Sequence, residues 1–150
     1  MKKYFHKVNF ILFWTFTLLG AIIEHIAYYL SSKKKTLSNP ILTGFPLYGF
    51  CGLLVIYLDN YTILHQQSGI IKFITFSIIL STIEYITGIL VNAGKNSNKN
   101  NIINSWNYSN NFMNIDGKID LLHTIFFGLC GYLIAQYYPT MYKYIHRIFI

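Results

Sequence analysis

Charged residues are scarce in this chain: they make up 11% of its 150 residues, and only five of them are acidic. Soluble domains carry about 25% charged residues. The hydrophobic fraction, by contrast, is 53%, and the mean hydropathy is positive. A soluble fold of this length cannot bury so much apolar surface, whereas a lipid bilayer accommodates it. The composition therefore argues against an ordinary soluble domain and predicts one membrane domain over residues 1–150.

Common catalytic and nucleotide-binding motifs are also missing. The sequence contains no GxxxxGK[ST] loop, no GxSxG elbow and no HExxH pair, so it gives no sign of a P-loop, a serine hydrolase or a zinc protease. Its two cysteines, Cys51 and Cys130, lie within apolar runs and are interpreted as buried thiols. The short basic clusters flank apolar runs, which favours contact with anionic lipid headgroups over nucleic-acid binding. We expect no cofactor, no metal and no nucleic-acid partner.

Four apolar runs are long enough to cross a bilayer as helices. They cover about residues 8–30, 46–64, 70–91 and 119–138. Tyrosines and tryptophans lie near the ends of these runs, as in the aromatic belts of membrane proteins. Pro40, Gly44 and Pro46 argue against a continuous helix just before the second run. The sequence thus predicts an all-α, multi-pass integral membrane protein, a bundle of about four transmembrane helices.

The connection between the third and fourth runs has two different halves. Residues 93–104 are mostly Asn, Lys, Ser and Gly, which predicts a mobile loop. Residues 105–117 alternate aromatic, apolar and polar side chains, which predicts a short ordered segment at the membrane surface before the last helix. Asp116 and Gly117 indicate a turn, and Asn114 or Ser109 is the expected cap of the fourth helix.

Two glutamates, Glu24 and Glu84, each lie inside one of the apolar runs. An acidic side chain well inside a membrane-spanning helix costs roughly 2.5–3.5 kcal/mol on insertion scales, so it usually faces the interior of a bundle or a wet cavity. The other intramembrane polar candidates are Asp59, Asp120 and His123, and the i, i+3 spacing of the last two allows them to meet. We predict a polar centre within the membrane.

Each run also carries one face of small and polar residues. In the third run this face consists of Ser77, Ser81, Glu84 and Gly88, which lie on one stripe of a helical wheel. Such faces let helices in lipid approach closely and form hydrogen bonds across the contact. Two interpretations follow and stay open: the faces only pack the bundle, or they surround a functional centre.

Several segments together resemble the motifs of one known family. In chain order, Gly20 to Glu24 resembles G-x-x-x-E; Pro46, Tyr48, Gly49 and Gly52 resemble P-[IL]-Y-G-x-G; Glu84 and Tyr85 begin a segment that resembles E-[YF]-x-[TS]-[GS]; and Trp106, Asn107, Tyr108 and Ser109, followed by Asn114 and Gly117, resemble W-D-Y-S…N-x-x-G-x-[IV]. These are motifs of the putative ABC-transporter type IV family, also called CmpB-like. The resemblance covers about Gly20 to Pro139. Asn107 stands where the family has an aspartate, and Phe127 replaces a tryptophan usually found near the fourth-run glycine.

This resemblance implies a permease subunit whose polar centre is lined by Glu24, Tyr48 and Glu84. Its partners would be the lipid bilayer and either a separately encoded ATPase subunit or another copy of the chain. The Trp106 segment is interpreted as a helix-entry motif or as a lid over the polar centre. A non-transport assembly or regulatory subunit is the alternative function. An intramembrane enzyme is less favoured, because no complete catalytic set is visible.

Overall fold

Four α-helices make up most of the chain in a computed structural model. The structure describes the backbone of residues 2–31, 41–93 and 108–149 and the side chains of residues 7–26, 46–90 and 108–149. The helices are α1, Lys2–Ser31; α2, Ile41–Tyr61; α3, Gly69–Ala93; and α4, Leu121–Phe149, with a short 3₁₀-helix, Ile63–Gln66, between α2 and α3. Within these residues, extended pairing is limited to one isolated bridge between Ile115 and Ile119. The predicted all-α fold is confirmed.

Among the residues that the structure describes, three helical segments are long and apolar enough to cross a membrane. They are Lys7–Ile26 of α1, Gly69–Leu90 of α3, and Leu121–Phe149, which is the whole of α4. The side chains that the structure describes for α2, residues 46–61, are too few to form a fourth such segment. All four predicted helices are therefore present, but a membrane crossing by α2 stays a prediction.

The second helix begins earlier than the sequence suggested. Because α2 starts at Ile41, it includes Gly44 and Pro46, so the expected interruption does not extend over residues 41–46. A proline inside a helix removes one backbone hydrogen bond and strains the preceding turn. Pro46 lies close to the start of α2, and the helix continues beyond it for about four more turns at 3.6 residues per turn.

The last helix also runs through a proline. The predicted span ended at Tyr138, whereas α4 continues through Pro139 to Phe149. Side chains on both sides of this proline, Tyr138 before it and Met141 after it, pack against the buried cluster that contains Leu12 of α1. This shared apolar contact offsets the hydrogen bond that proline removes, which explains why the helix does not end there.

Polar residues are buried and apolar residues are exposed along α3. Ser77, Ser81 and Glu84 are at most 9% exposed, while Ile78 is 62% exposed and Leu90 is 66% exposed. An amphipathic helix in a soluble protein shows the opposite arrangement. Lipid is the medium in which an apolar exterior and a polar interior face are both favourable.

The chain divides into two compact units. One unit contains Met1–Gln66 and Leu133–Ile150, and the other contains Gln67–Tyr132. In the first unit, Val8, Leu12 and Phe16 form a buried cluster with Ile56 of α2.

The second unit consists of α3, the start of α4 and the connector between them. Phe76 is fully buried within it. Ser68 directly precedes α3: its carbonyl oxygen accepts a hydrogen bond from the backbone N–H of Lys72 at 3.0 Å, and its hydroxyl lies 3.4 Å from the backbone nitrogen of Ile71. This pattern is that of a serine cap.

Candidate functional site

The connector between α3 and α4, described over residues 108–120, is held together by Asn114. Its Nδ2 donates to the carbonyl oxygens of Asn111 at 2.9 Å and Ser109 at 3.2 Å, and its Oδ1 accepts from the backbone N–H of Gly117 at 3.0 Å. The backbone N–H of Tyr108 donates to the carbonyl oxygen of Gly117 at 2.9 Å. One side chain thus closes the connector, and the predicted ordered segment is confirmed over the residues described.

The turn predicted at Asp116 and Gly117 is also confirmed. Both residues have left-handed backbone angles, with φ of 51° and 62°, and a third left-handed residue is Met113 at 51°. A Cβ at position 117 would lie 3.3 Å from the backbone of Ser109, so both the conformation and the space favour glycine.

Asp120 caps α4. Its Oδ1 accepts the backbone N–H of His123 at 2.7 Å, and its carbonyl oxygen accepts the backbone N–H of Thr124 at 3.0 Å. The expectation that Asn114 or Ser109 caps this helix is wrong. A cap must directly precede the first turn, and Asp120 is the residue before Leu121, where the helix begins.

Asp120 is 2% exposed, and among the described residues its carboxylate accepts hydrogen bonds only from the connector and α4. Its Oδ1 also lies 2.8 Å from Nδ1 of His123, and its Oδ2 accepts from Nδ2 of Asn111. Burial by itself would raise the pKa of Asp120, but hydrogen bonds from the His123 backbone, the Asn111 amide and the His123 ring outweigh it. The pKa therefore lies below its ordinary value. The predicted contact between Asp120 and His123 is confirmed.

Tyr108 joins this arrangement to the glutamate of α3. Its hydroxyl donates to Oε1 of Glu84 at 3.3 Å, and its ring centroid lies 4.3 Å from that of His123. We call Glu84, Tyr108, Asn111, Asp120 and His123 the Glu84 cluster. It lies entirely in the second unit and links α3, the connector and α4.

Two further contacts surround the cluster. Ser81 Oγ, on the same face of α3 as Glu84, donates to Thr124 Oγ1 at 3.1 Å. Tyr85 donates its hydroxyl to Oδ2 of Asp116 at 2.8 Å, which fastens the turn to α3. The motif residues of α3 and of the connector are therefore brought together.

The other glutamate, Glu24, pairs with a tyrosine in the first unit. Tyr48 of α2 donates its hydroxyl to Oε2 of Glu24 on α1. The Tyr48 ring lies directly over Gly20, where a Cβ would overlap it. Gly49, which follows Tyr48 on α2, faces α1, and a Cβ there would have no room beside the Thr17 hydroxyl. The residues of the G-x-x-x-E and Y-G motifs thus meet across the two helices.

The remaining predicted site residues are dispersed. Asp59 is buried at the end of α2, with Oδ2 at 3.7 Å from Nδ1 of His65. Gly52 packs against the ring of Phe16, and Pro46 is exposed. Trp106 and Asn107 lie outside the described residues, so the predicted lid and the effect of the missing aspartate stay untested.

The sequence did not indicate Asn111 as a site residue. It has no charge and matches none of the motif positions, and its position between Tyr108 and Asp120 was the one available sign. Within the described residues, no three His, Cys, Asp or Glu side chains form a group suited to a metal ion. The carboxylates of Glu24 and Glu84 can each accept hydrogen bonds, or bind a proton or a polar group, next to apolar helix surfaces.

Comparison with curated proteins and with solved structures finds no match. The family model described as putative ABC-transporter type IV matches residues 11–149, nearly the whole chain. The match confirms the resemblance seen in the motifs, and with three helices apolar enough to span a bilayer it makes this an integral membrane protein. The chain belongs to the putative ABC-transporter type IV family.

Proposed function

We propose that this protein is the membrane-embedded permease subunit of an ABC-type transporter. Family membership and the apolar exterior of the helices support this role. The sequence contains no P-loop. In this proposal a separate ATPase subunit hydrolyses ATP, and the present chain provides the route through the membrane.

The observation that carries the proposal is the burial of Glu84. This carboxylate lies on a helix apolar enough to span a bilayer, is 7% exposed, and is hydrogen-bonded by Tyr108 from outside its own helix. Acidic residues are costly at this depth and commonly mark pathways for ions or polar solutes. We assign the polar centre to the Glu84–Tyr108 pair and to the Glu24–Tyr48 pair, each within its own unit.

A specific observation favours an assembly or regulatory subunit as the second candidate. The polar groups of the Glu84 cluster bind one another: Asn111 binds Asp120, Asp120 binds His123, and Tyr108 binds Glu84. A cluster that fastens a connector to two helices has a purely structural use. In that case Glu84 stabilises the fold and contributes nothing to transport.

Isolation of the tagged protein from its native membrane in mild detergent separates the two candidates. Under the permease proposal, a stoichiometric ATPase subunit elutes with the protein and is identified by mass spectrometry. The complex is then reconstituted into liposomes and its ATP hydrolysis is measured. We expect Glu84→Gln to leave the complex assembled but to change its rate of ATP hydrolysis several-fold.

Tyr144→Phe is the control, because Tyr144 is exposed on α4 and lies outside the Glu84 cluster. It should alter neither assembly nor hydrolysis. If the tagged protein elutes alone or only with copies of itself, the permease proposal is rejected. If the ATPase is present but Glu84→Gln abolishes assembly, the structural role of Glu84 is favoured instead.

A further inference from the structure

The two helix pairs α1–α2 and α3–α4 carry the same residue pattern. Phe13, Phe16, Thr17 and Glu24 of α1 have the same spacing as Phe73, Phe76, Ser77 and Glu84 of α3. Gly49, Cys51 and Gly52 of α2 have the same spacing as Gly128, Cys130 and Gly131 of α4. Chemically similar residues therefore recur at equivalent positions on both helices of each pair.

The first contact that these residues make is also the same in both pairs. A Cβ at Gly49 would overlap the Thr17 hydroxyl and lie 2.7 Å from the Phe13 ring. A Cβ at Gly128 would overlap the Ser77 hydroxyl and lie 2.9 Å from the ring of Phe73, the counterpart of Phe13. Each glycine thus faces the corresponding hydroxyl and the corresponding phenylalanine.

One turn later the second contact repeats as well. A Cβ at Gly52 would lie 2.6 Å from Cγ of Phe16, and a Cβ at Gly131 would lie 2.6 Å from Cβ of Phe76. The buried hydroxyls of Thr17 and Ser77 share another property, since neither makes a hydrogen bond within the described residues. Packing detail, and not only sequence similarity, is therefore common to the two pairs.

The glutamates reveal one difference between the pairs. Glu24 accepts a hydrogen bond from Tyr48 of α2, and the position equivalent to Tyr48 on α4 is Phe127, which has no hydroxyl. The position equivalent to Gly20, over which the Tyr48 ring lies, is the buried Leu80.

Leu80 has a side chain where Gly20 has none. Glu84 nevertheless accepts a phenolic hydrogen bond, which comes from Tyr108 of the connector.

We infer that the chain contains two copies of one helical-hairpin unit, with Glu24 and Glu84 as equivalent carboxylates, and that Tyr108 supplies the hydroxyl absent at Phe127. The protein then has two carboxylate–phenol sites, one in each copy. In the first the phenol belongs to the hairpin, and in the second it belongs to the connector. This inference does not depend on transport, because it rests on the packing within each helix pair.

Infrared spectroscopy of the detergent-solubilised protein tests the equivalence of the two sites. The carboxyl bands of the two glutamates are assigned by their loss in Glu24→Gln and Glu84→Gln. Tyr48→Phe should displace the Glu24 band alone, and Tyr108→Phe should displace the Glu84 band alone. Tyr144→Phe should displace neither. The inference is rejected if Tyr108→Phe leaves the Glu84 band in place or displaces both bands together.

A second variant tests the role of Leu80 without removing a hydroxyl. Gly20→Leu installs in the first hairpin the residue found at the equivalent position of the second. It should displace the Glu24 band as Tyr48→Phe does, and the two substitutions combined should produce no further displacement. An unchanged Glu24 band in Gly20→Leu, or additive displacements, would overturn the equivalence.

Reconstruction provides the positive test. The starting point is Tyr108→Phe, which displaces the Glu84 band. Adding both Leu80→Gly and Phe127→Tyr to it should return this band towards its wild-type position. Adding only Leu80→Gly to Tyr108→Phe should not. Size-exclusion chromatography establishes that each variant is folded. A folded triple variant with a displaced Glu84 band rejects the inference. If the triple variant does not fold, the single substitutions and Gly20→Leu decide the question.

Discussion

Oδ1 of Asp120 lies 2.7 Å from the backbone nitrogen of His123 and 2.8 Å from Nδ1 of the same residue. One oxygen therefore fixes both the first turn of α4 and the orientation of the ring against which Tyr108 packs. The other carboxylate oxygen accepts from Asn111. The start of the helix and the Glu84 cluster are consequently stabilised by the same carboxylate.

Replacement of Asp120 by alanine should destabilise the protein. Loss of a helix cap costs about 0.5–2 kcal/mol, and here the bonds to Asn111 and to the His123 ring are lost as well. Asp120→Asn should cost less, because asparagine caps helices nearly as well as aspartate. Unfolding temperatures in detergent would check this order. Equal stability of Asp120→Ala and the wild type would contradict the assigned cap.

Replacement of Asp120 by asparagine should also change how the free energy of unfolding depends on pH. The pKa of Asp120 in the folded protein is lowered from an ordinary value of 3.8, so the unfolded chain takes up a proton more readily. The stabilisation is complete above the unfolded pKa and is lost as the pH falls through the folded pKa. Between about pH 5 and about pH 3, the wild type should lose more stability than Asp120→Asn. Parallel curves would contradict the prediction.

Gly117→Ala should destabilise the connector. A left-handed conformation costs a residue with a Cβ roughly 1–2 kcal/mol, and the added atom would press against the backbone of Ser109. Gly88→Ala is the matched control: its Cβ would meet the flexible side chain of Lys118, and alanine favours helix. We expect a lower unfolding temperature for the first variant and no loss for the second.

The close approach of α3 and α4 predicts opposite outcomes for two small substitutions. Gly128→Ala would overlap the Ser77 hydroxyl and lie 2.9 Å from the carbonyl oxygen of Phe73, and such overpacking costs about 1–3 kcal/mol. Ser77→Ala removes a buried hydroxyl that makes no hydrogen bond within the described residues, so it should be neutral or stabilising.

Ser81→Ala serves as the comparison, because it breaks the hydrogen bond to Thr124 and should cost about 0.5–1.5 kcal/mol. Thermal unfolding of the variants orders their stabilities. If Ser77→Ala were the more damaging of the two serine variants, the assigned hydrogen bonding on this face of α3 would be wrong.

A membrane crossing by α2 can be tested by labelling. If α1 and α2 both cross, an N-terminal tag and a cysteine at position 65 lie on the same side of the membrane; if α2 does not cross, they lie on opposite sides. We expect the same side. His65 is exposed, so His65→Cys is a suitable position once Cys51 and Cys130 have been replaced. Membrane-impermeant maleimide and protease accessibility of the tag supply the readout.

The apolar runs predicted the helices well, because length and hydropathy are local properties of the sequence. The buried face of α3 was predictable for the same reason, since helical periodicity places Ser77, Ser81 and Glu84 on one stripe. The ends of the helices were less predictable. Pro139 has a strong local preference for ending a helix, but the contacts of Tyr138 and Met141 with residues distant in sequence override it.

The partners within the site depend on how the connector folds, and this explains the errors there. Asn114, Ser109 and Asp120 all have side chains suited to a helix cap, and only the position where α4 begins selects among them. The hydrogen bond from Tyr108 to Glu84 joins the connector to α3 across a long stretch of chain, and helical periodicity in the sequence does not predict such a contact. The repeat of the helical hairpin was present in the sequence. It is hard to recognise there because the long connector between α3 and α4 changes the spacing: equivalent residues of α1 and α3 are separated by a different number of residues from those of α2 and α4.

The hydrogen bond from Tyr48 to Glu24 and that from Tyr108 to Glu84 depend on different surrounding contacts. To withdraw Tyr48 from Glu24, the ring must leave its seat over Gly20, which disturbs the contact of two long helices. To withdraw Tyr108 from Glu84, the ring must leave His123, and local hydrogen bonds of the connector, such as those of Asn114, must break. Opening free energies are lower for small units with few buried contacts. The second carboxylate is therefore the one whose phenol can be released while the helices stay packed.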